Sequence, residues 1–162
     1  QAQLPPDIEW HFIGHLQSNK VKYIAPFVGM IHSVDSFKLL QEINKQAAKN
    51  NRIIHCLLQV HIAQEETKFG FDETELLNAD WNLIASLKNV QINGLMGMAS
   101  FSNDLNLVKS EFGQLKTIFD KLKQHQPQLK TLSMGMSGDY TIAIEEGSNM
   151  IRVGSLLFGS RN

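Results

Sequence analysis

Residues 131–159 read TLSMGMSGDYTIAIEEGSNMIRVGSLLFG, and the fold turns on how that stretch is parsed. Residues 131–134 and 150–153 are short apolar runs. Small residues follow each: Gly135-Met136-Ser137-Gly138-Asp139 after the first, Gly154-Ser155 after the second. Between them, residues 139–146 carry a helical pattern closed by Gly147. A strand that runs into Gly and Ser ahead of a helix leaves backbone N–H groups without intrahelical partners. Such turns attract anions, phosphate above all, and glycine lets a ligand approach the backbone closely. Two of them in consecutive strand–helix units lie at the same end of a parallel sheet. Ordinary turns and helix C-caps use the same residues, so both readings stand on spacing alone.

The rest of the chain repeats the alternation. Pro5-Pro6 keeps residues 1–9 irregular. Residues 10–14 (WHFIG) read as a short buried strand ending in glycine, followed by a polar loop over 15–20 and a helix to about Ala25, which Pro26 ends. Residues 30–34 (MIHSV) form a second strand. Asp35-Ser36 offers an N-cap for a helix over 36–49 with Phe37, Leu40, Ile43 and Ala47 on one face. Residues 53–62 are near-continuously apolar, as expected of a strand covered on both faces. Asp72 caps a helix over 73–87 with Leu76, Leu77, Trp81 and Ile84 inward. Residues 90–98 (VQINGLMGM) form a glycine-punctuated strand, and residues 105–124 a long helix with Val108, Phe112, Leu115, Phe119 and Leu122 on its stripe.

Six strands alternating with helices predict a parallel α/β architecture. Six units suit either an open doubly wound sheet or six-eighths of a (β/α)8 barrel, a fold that usually takes about 250 residues. Polar residues at nearly every strand end favour the barrel, whose site draws on many strands, whereas an open sheet gathers its site at one switch point.

With 162 residues, 43% of them hydrophobic, the chain is long enough for one domain with a real core. A net charge of −1 gives no bulk attraction for nucleic acid or an acidic membrane surface. No stretch is long and apolar enough to span a bilayer, and no signal peptide is visible. The single cysteine, Cys56, excludes an internal disulfide framework and fits a reducing, cytoplasmic compartment. Its apolar surroundings read as those of a small buried hydrophobe rather than a nucleophile.

Arg152 stands inside an otherwise apolar strand, two residues before Gly154, and a buried arginine needs a partner. It is either half of a structural ion pair or a cation aimed into the strand-end pocket beside Gly154 and Ser155. His11, at the start of a strand, reads first as a satisfied core residue, and His15, past the glycine, as exposed. Met96, Met98, Met134 and Met136 are core packing or the wall of an aromatic ligand. Lys20 and Lys68 are the lysines of strand-end loops: either could touch a ligand phosphate, and surface solvation is the default for both. No metal site is expected, and there is no GxSxG elbow, Walker loop or GxGxxG.

Four segments carry a resemblance: HFIGHLQSNK at 11–20, GLMGM at 94–98, LSMGMSGD at 132–139 and IRVGSLLFG at 151–159. In order, and over essentially the whole chain, they resemble the YggS/PROSC family of pyridoxal 5′-phosphate-binding homeostasis proteins, related to the barrel domain of alanine racemase. HFIGHLQxNK and SMGMSxD are specific to it. The resemblance implies a (β/α)8 TIM barrel of the alanine-racemase N-terminal type, of which residues 1–162 form a single pyridoxal phosphate-binding domain of about six β-α units, lacking the first two. It implies a cofactor phosphate on Ser137 and on the Gly154-Ser155 turn, Arg152 facing the pyridine nitrogen, and Met136 and His11 beside the cofactor. An arginine at that nitrogen disfavours its protonation and makes the ring a weaker electron sink than a carboxylate would.

In the family the Schiff-base lysine lies two β-α units ahead of the HFIG strand. No lysine precedes Lys20 here, so that lysine is expected upstream of Gln1 and the sequence is expected to be part of a longer chain. The implied function is intracellular pyridoxal phosphate homeostasis: a cofactor carrier without robust catalysis, serving apo pyridoxal phosphate enzymes, with no nucleic-acid or membrane partner and a monomeric full barrel. The alternative is a pyridoxal phosphate-dependent amino-acid racemase-like enzyme. Such relatives carry a second, β-rich domain, and the sequence ends at Asn162 directly after the last barrel strand, which disfavours them. A phosphate-binding α/β domain for some other ligand is the third reading.

Overall fold

A computed structural model describes residues 3–65 and 69–159, so Lys68 lies outside the described residues. The strands are β1 (His11–Phe12), β2 (Met30–Val34), β3 (Ile54–Val60), β4 (Val90–Gly97), β5 (Thr131–Met136) and β6 (Met150–Arg152). They form one sheet in chain order, each pairing parallel with the next. The helices between them are α1 (Val21–Ile24), α2 (Phe37–Lys49), α3 (Glu73–Leu77), α4 (Trp81–Ala85), α5 (Leu105–Lys123) and α6 (Tyr140–Glu145), and α7 (Ser155–Phe158) follows β6. Parallel neighbours need crossovers, and the helices supply them.

Strand alternation sorts the side chains into two environments. On one face Cys56, Leu58 and Val60 of β3 join Ile92 and Leu95 of β4 and Leu132 and Met134 of β5 in the main core, against Leu40 and Ile43 of α2 and Phe112 and Leu115 of α5. On the other face Met30, Leu57 and Met96 form a small separate cluster, with Met98 and Met150 packed on it. Polar side chains share that inner side: His32 of β2 reaches Ser133 of β5, 101 residues away. A flat six-stranded sheet would hold β2 and β5 far apart. The contact therefore requires the sheet to curl, and the molecule is the six-stranded part of a barrel, with its helices outside.

Three expectations need correction. The strand at 10–14 is shorter than read, only two residues, and it is not buried: it is an edge of the sheet with His11 exposed. The helix over 73–87 is two helices, because Asp80 caps a new start by accepting from the Asn82 and Leu83 N–H groups at 3.0 Å each. The break turns Leu77 out to solvent while Leu76 and Ile84 stay buried. Finally, β5 runs on through Gly135 and Met136, read above as the start of a loop. Gly135 takes φ +95°, and a Cβ there would stand 2.6 Å from the Ala143 Cβ, so the strand can pass this close to α6 only as glycine.

Candidate functional site

The two small-residue turns of residues 131–159 meet. Ser137 follows β5, and its Oγ accepts from the backbone N–H of Gly154 at 3.2 Å and of Leu156 at 3.4 Å. A hydroxyl and two N–H groups from the next strand–helix turn thus converge on one point. Ser155 opens α7 and is exposed. A Cβ built on Gly138 or Gly154 would meet nothing within 4 Å, so the space above both turns is open. The Asp139 carboxylate is turned back to accept from Met136 N at 2.6 Å.

Sheet register brings Arg152 to the same place, since its Cα partner in β5 is Met136. Met136 is 44% exposed at the strand end, while Arg152 is only 7% exposed. The guanidinium donates to Ser133 Oγ at 2.7 Å and to the Gly97 carbonyl at 2.9 Å. Both partners are neutral. Among the described residues no carboxylate lies within ion-pair distance of it, which removes the structural ion pair as an account of this residue. Burial pulls its pKa down to about 10, partly opposed by the charge of Asp139.

His11 is no satisfied core residue. Its Nδ1 lies 3.0 Å from His32 Nε2 and its Nε2 3.3 Å from a Glu9 carboxylate oxygen. His32 is buried, and its Nδ1 lies 3.3 Å from Ser133 Oγ, the atom that Arg152 holds. Burial first, then the His11 and Arg152 charges, lowers the His32 pKa to about 4. Sequence reasoning passed over His32 and Ser133. The signal was available for His32: a polar ring in an apolar strand raises the same question of a partner that was asked of Arg152.

The site thus gathers Met136, Ser137, Arg152, Gly154 and Ser155 at the ends of β5 and β6, with His11 joined through His32 and Ser133. Lys20 is not part of it by any contact: it is exposed, with Nζ 6.0 Å from the Tyr23 ring centre. His15 is exposed as read, with Nδ1 3.3 Å from Asp35 and its ring stacked on Phe69 at 4.0 Å. Cys56 is buried, and burial pushes its thiol pKa far up. Among the described residues no three His, Cys, Asp or Glu side chains gather to hold a metal ion, and no helix is long and apolar enough to cross a membrane.

Residues 4–162 match the family model for the alanine racemase N-terminal domain. The pyridoxal phosphate homeostasis protein of Aquifex aeolicus is 44% identical over 156 residues, covering 96% of this chain and 68% of that protein. The protein of the same description from Vibrio alginolyticus is 39% identical over 163 residues, covering 99% and 70%. The solved structure of PipY from Synechococcus elongatus with pyridoxal phosphate bound superposes with a TM-score of 0.84 at 37% identity, covering 98% of this chain and 73% of that one. By its strand order, its motifs and these likenesses, the chain belongs to the pyridoxal phosphate homeostasis protein family, within the alanine racemase N-terminal domain fold.

Proposed function

We propose that this chain binds pyridoxal 5′-phosphate at the ends of β5 and β6 and serves its homeostasis in the cytoplasm, holding the cofactor and releasing it to apo-enzymes. One observation carries the reading: the Ser137 hydroxyl and the Gly154 and Leu156 N–H groups converge beside a buried arginine that, among the described residues, has no carboxylate within ion-pair distance. The donors suit a phosphate dianion, and the open space over Gly138 and Gly154 leaves room for it. Ser137, Ser155 and the Gly154 amide would hold the phosphate. Arg152 would face the ring nitrogen, and Met136 and His11 would flank the ring.

When bound, the cofactor supplies an aldehyde for amines and a ring that accepts electron density. The residues here temper the second property. A buried cation beside the ring nitrogen opposes its protonation, so the protein binds the cofactor without driving carbanion chemistry. Ser137 and the turn amides anchor, and Arg152 restrains. That division suits a carrier.

The test is equilibrium binding of pyridoxal phosphate to the protein and to Ser137→Ala/Ser155→Ala. A lost hydrogen bond to a charged group costs about 1.5–3 kcal/mol, so the double variant should bind at least about tenfold more weakly with its melting unchanged. Equal affinity removes the phosphate assignment. Sustained exchange of the alanine α-proton in deuterated water would instead favour a racemase-like enzyme.

A further inference from the structure

The inner face of the curled sheet carries one continuous polar chain that phosphate binding does not use. It runs Arg152, Ser133, His32, His11, Glu9, with contacts of 2.7, 3.3, 3.0 and 3.3 Å. Arg152 fixes one end of it, and a direction follows if Ser133 donates to His32. Arg152 can only donate, so Ser133 Oγ accepts there and has its own proton to give to His32 Nδ1. His32 must then carry its proton on Nε2, which donates to His11 Nδ1. His11 in turn carries its proton on Nε2, facing the Glu9 carboxylate. In this direction both rings are neutral and both carry the proton on Nε2; the reverse direction, with His11 doubly protonated against Glu9 and His32 donating from Nδ1 to Ser133, fills the same contacts but leaves the Ser133 proton without His32 as its acceptor.

We propose that His32, through Ser133, is a positioning residue for Arg152: the directed chain holds the guanidinium against Gly97 and Ser133 and so aims it at the ring nitrogen of the bound cofactor. This rests on the reading that Arg152 faces that nitrogen. The mechanism is geometric. Arg152 has two anchors, the Gly97 carbonyl and Ser133 Oγ. With its proton given to His32 Nδ1, Ser133 is held with a lone pair toward Arg152. A proton on His32 Nδ1 would point at Ser133 and remove the acceptor for the Ser133 proton, and with Nε2 protonated as well it would bring a second positive charge toward the guanidinium. The charged and titratable groups around His32 are Glu9 before β1, His11 on β1, Arg152 on β6 and, beyond Arg152, Asp139 before α6. Burial first, and with it the charge of Arg152, acts against a second proton on His32 and keeps its ring neutral.

Two measurements test this. The first needs no cofactor: long-range nitrogen–proton NMR of the histidine rings in the ligand-free protein. His32 should show the Nε2–H tautomer and stay neutral from pH 8 to about 5. A proton on Nδ1, or titration near the ordinary histidine value, overturns the chain whether or not the cofactor binds. The second uses 4′-deoxypyridoxine 5′-phosphate, which lacks the aldehyde and so binds through phosphate and ring alone. Its absorbance reports protonation of the ring nitrogen. Bound to the unmodified protein, that nitrogen should titrate at least about one pH unit below its value in His32→Leu and Ser133→Ala. His32→Gln, with one acceptor and one donor, should restore the shift. Equal titration in all four proteins overturns the positioning role, and near-ultraviolet dichroism checks that the variants fold. Failure of the analogue to bind the unmodified protein, with the NMR result as expected, overturns the pyridoxal phosphate reading and with it the target assigned to Arg152.

Discussion

His32 is 2% exposed and sits between two groups that oppose its protonation, the His11 ring on one side and Arg152 beyond Ser133 on the other. Unfolded, a histidine takes up a proton near pH 6.5; in the fold this one does so only near 4. Between those values the unfolded chain binds the proton and the folded chain does not. Stability should therefore fall as pH drops from 6.5 towards 4 and level off below, by no more than about 3 kcal/mol from this residue. Urea unfolding of His32→Gln should lack this loss over the same interval. An unchanged difference between pH 7 and pH 4.5 would refute the linkage. Arg152 and His32 also divide what was legible from what was not. Each is a polar group in an apolar strand, and for each the need of a partner could be read from sequence. Who the partners are could not, because Ser133 meets His32 only after the sheet has curled and brought β2 to β5.

At the scale of elements, hydrophobic spacing found all six strands and placed β2 to the residue, since the pattern that buries a strand is local. It ran α3 and α4 together because Leu77, Trp81 and Ile84 keep helical spacing across Asn78, Ala79 and Asp80. The physical signal lay in Asp80, whose carboxylate competes for the N–H groups that a continuous helix would bond internally. Asp80→Ala should cost about 0.5–2 kcal/mol in thermal or urea unfolding, the usual worth of an N-cap; no loss would mean that packing alone sets the break. Gly94 makes a stronger case. A glycine in a strand reads as a bulge or a close approach, and the structure supplies both. The register slips between Cys56 and Leu57, which pair with Ile92 and Gly94, so Asn93 is the extra residue. A Cβ on Gly94 would stand 1.7 Å from the Thr131 carbonyl oxygen, inside the β4–β5 ladder. Gly94→Ala must push those strands apart, at a cost of about 1–3 kcal/mol or more, read from the urea midpoint. A midpoint within a few tenths of a kcal/mol of the parent would show that the two strands can separate freely. Because β5 carries Ser133 and leads to Ser137, the same substitution should also weaken cofactor binding.

At the scale of the whole molecule, the sheet has two edges, β1 and β6, each paired on one side only among the described residues. Apolar surface lies beside both. Ile151 of β6 and Leu156, Leu157 and Phe158 of α7 are exposed, the last three by 61, 72 and 87%; Ile8 and Ile13 are exposed beside β1. Unpaired backbone groups next to exposed aliphatic and aromatic side chains form a template for another chain; the edge strands are short, two and three residues, but neither places a lysine or proline on its edge. A chain of these 162 residues should therefore self-associate. Light scattering should give a mass that rises with protein concentration, and replacing Leu157 and Phe158 by glutamate should lower that mass at every concentration without shifting the melt, because neither side chain is buried. The cofactor should bind with less dependence on concentration than the mass shows, since Gly154 bonds to Ser137 and Arg152 to Ser133 within a single chain, across β5 and β6, and need no second copy. A concentration-independent monomer with a cooperative melt would mean that the edges are covered by something other than another chain, and the argument from exposed apolar surface would fail.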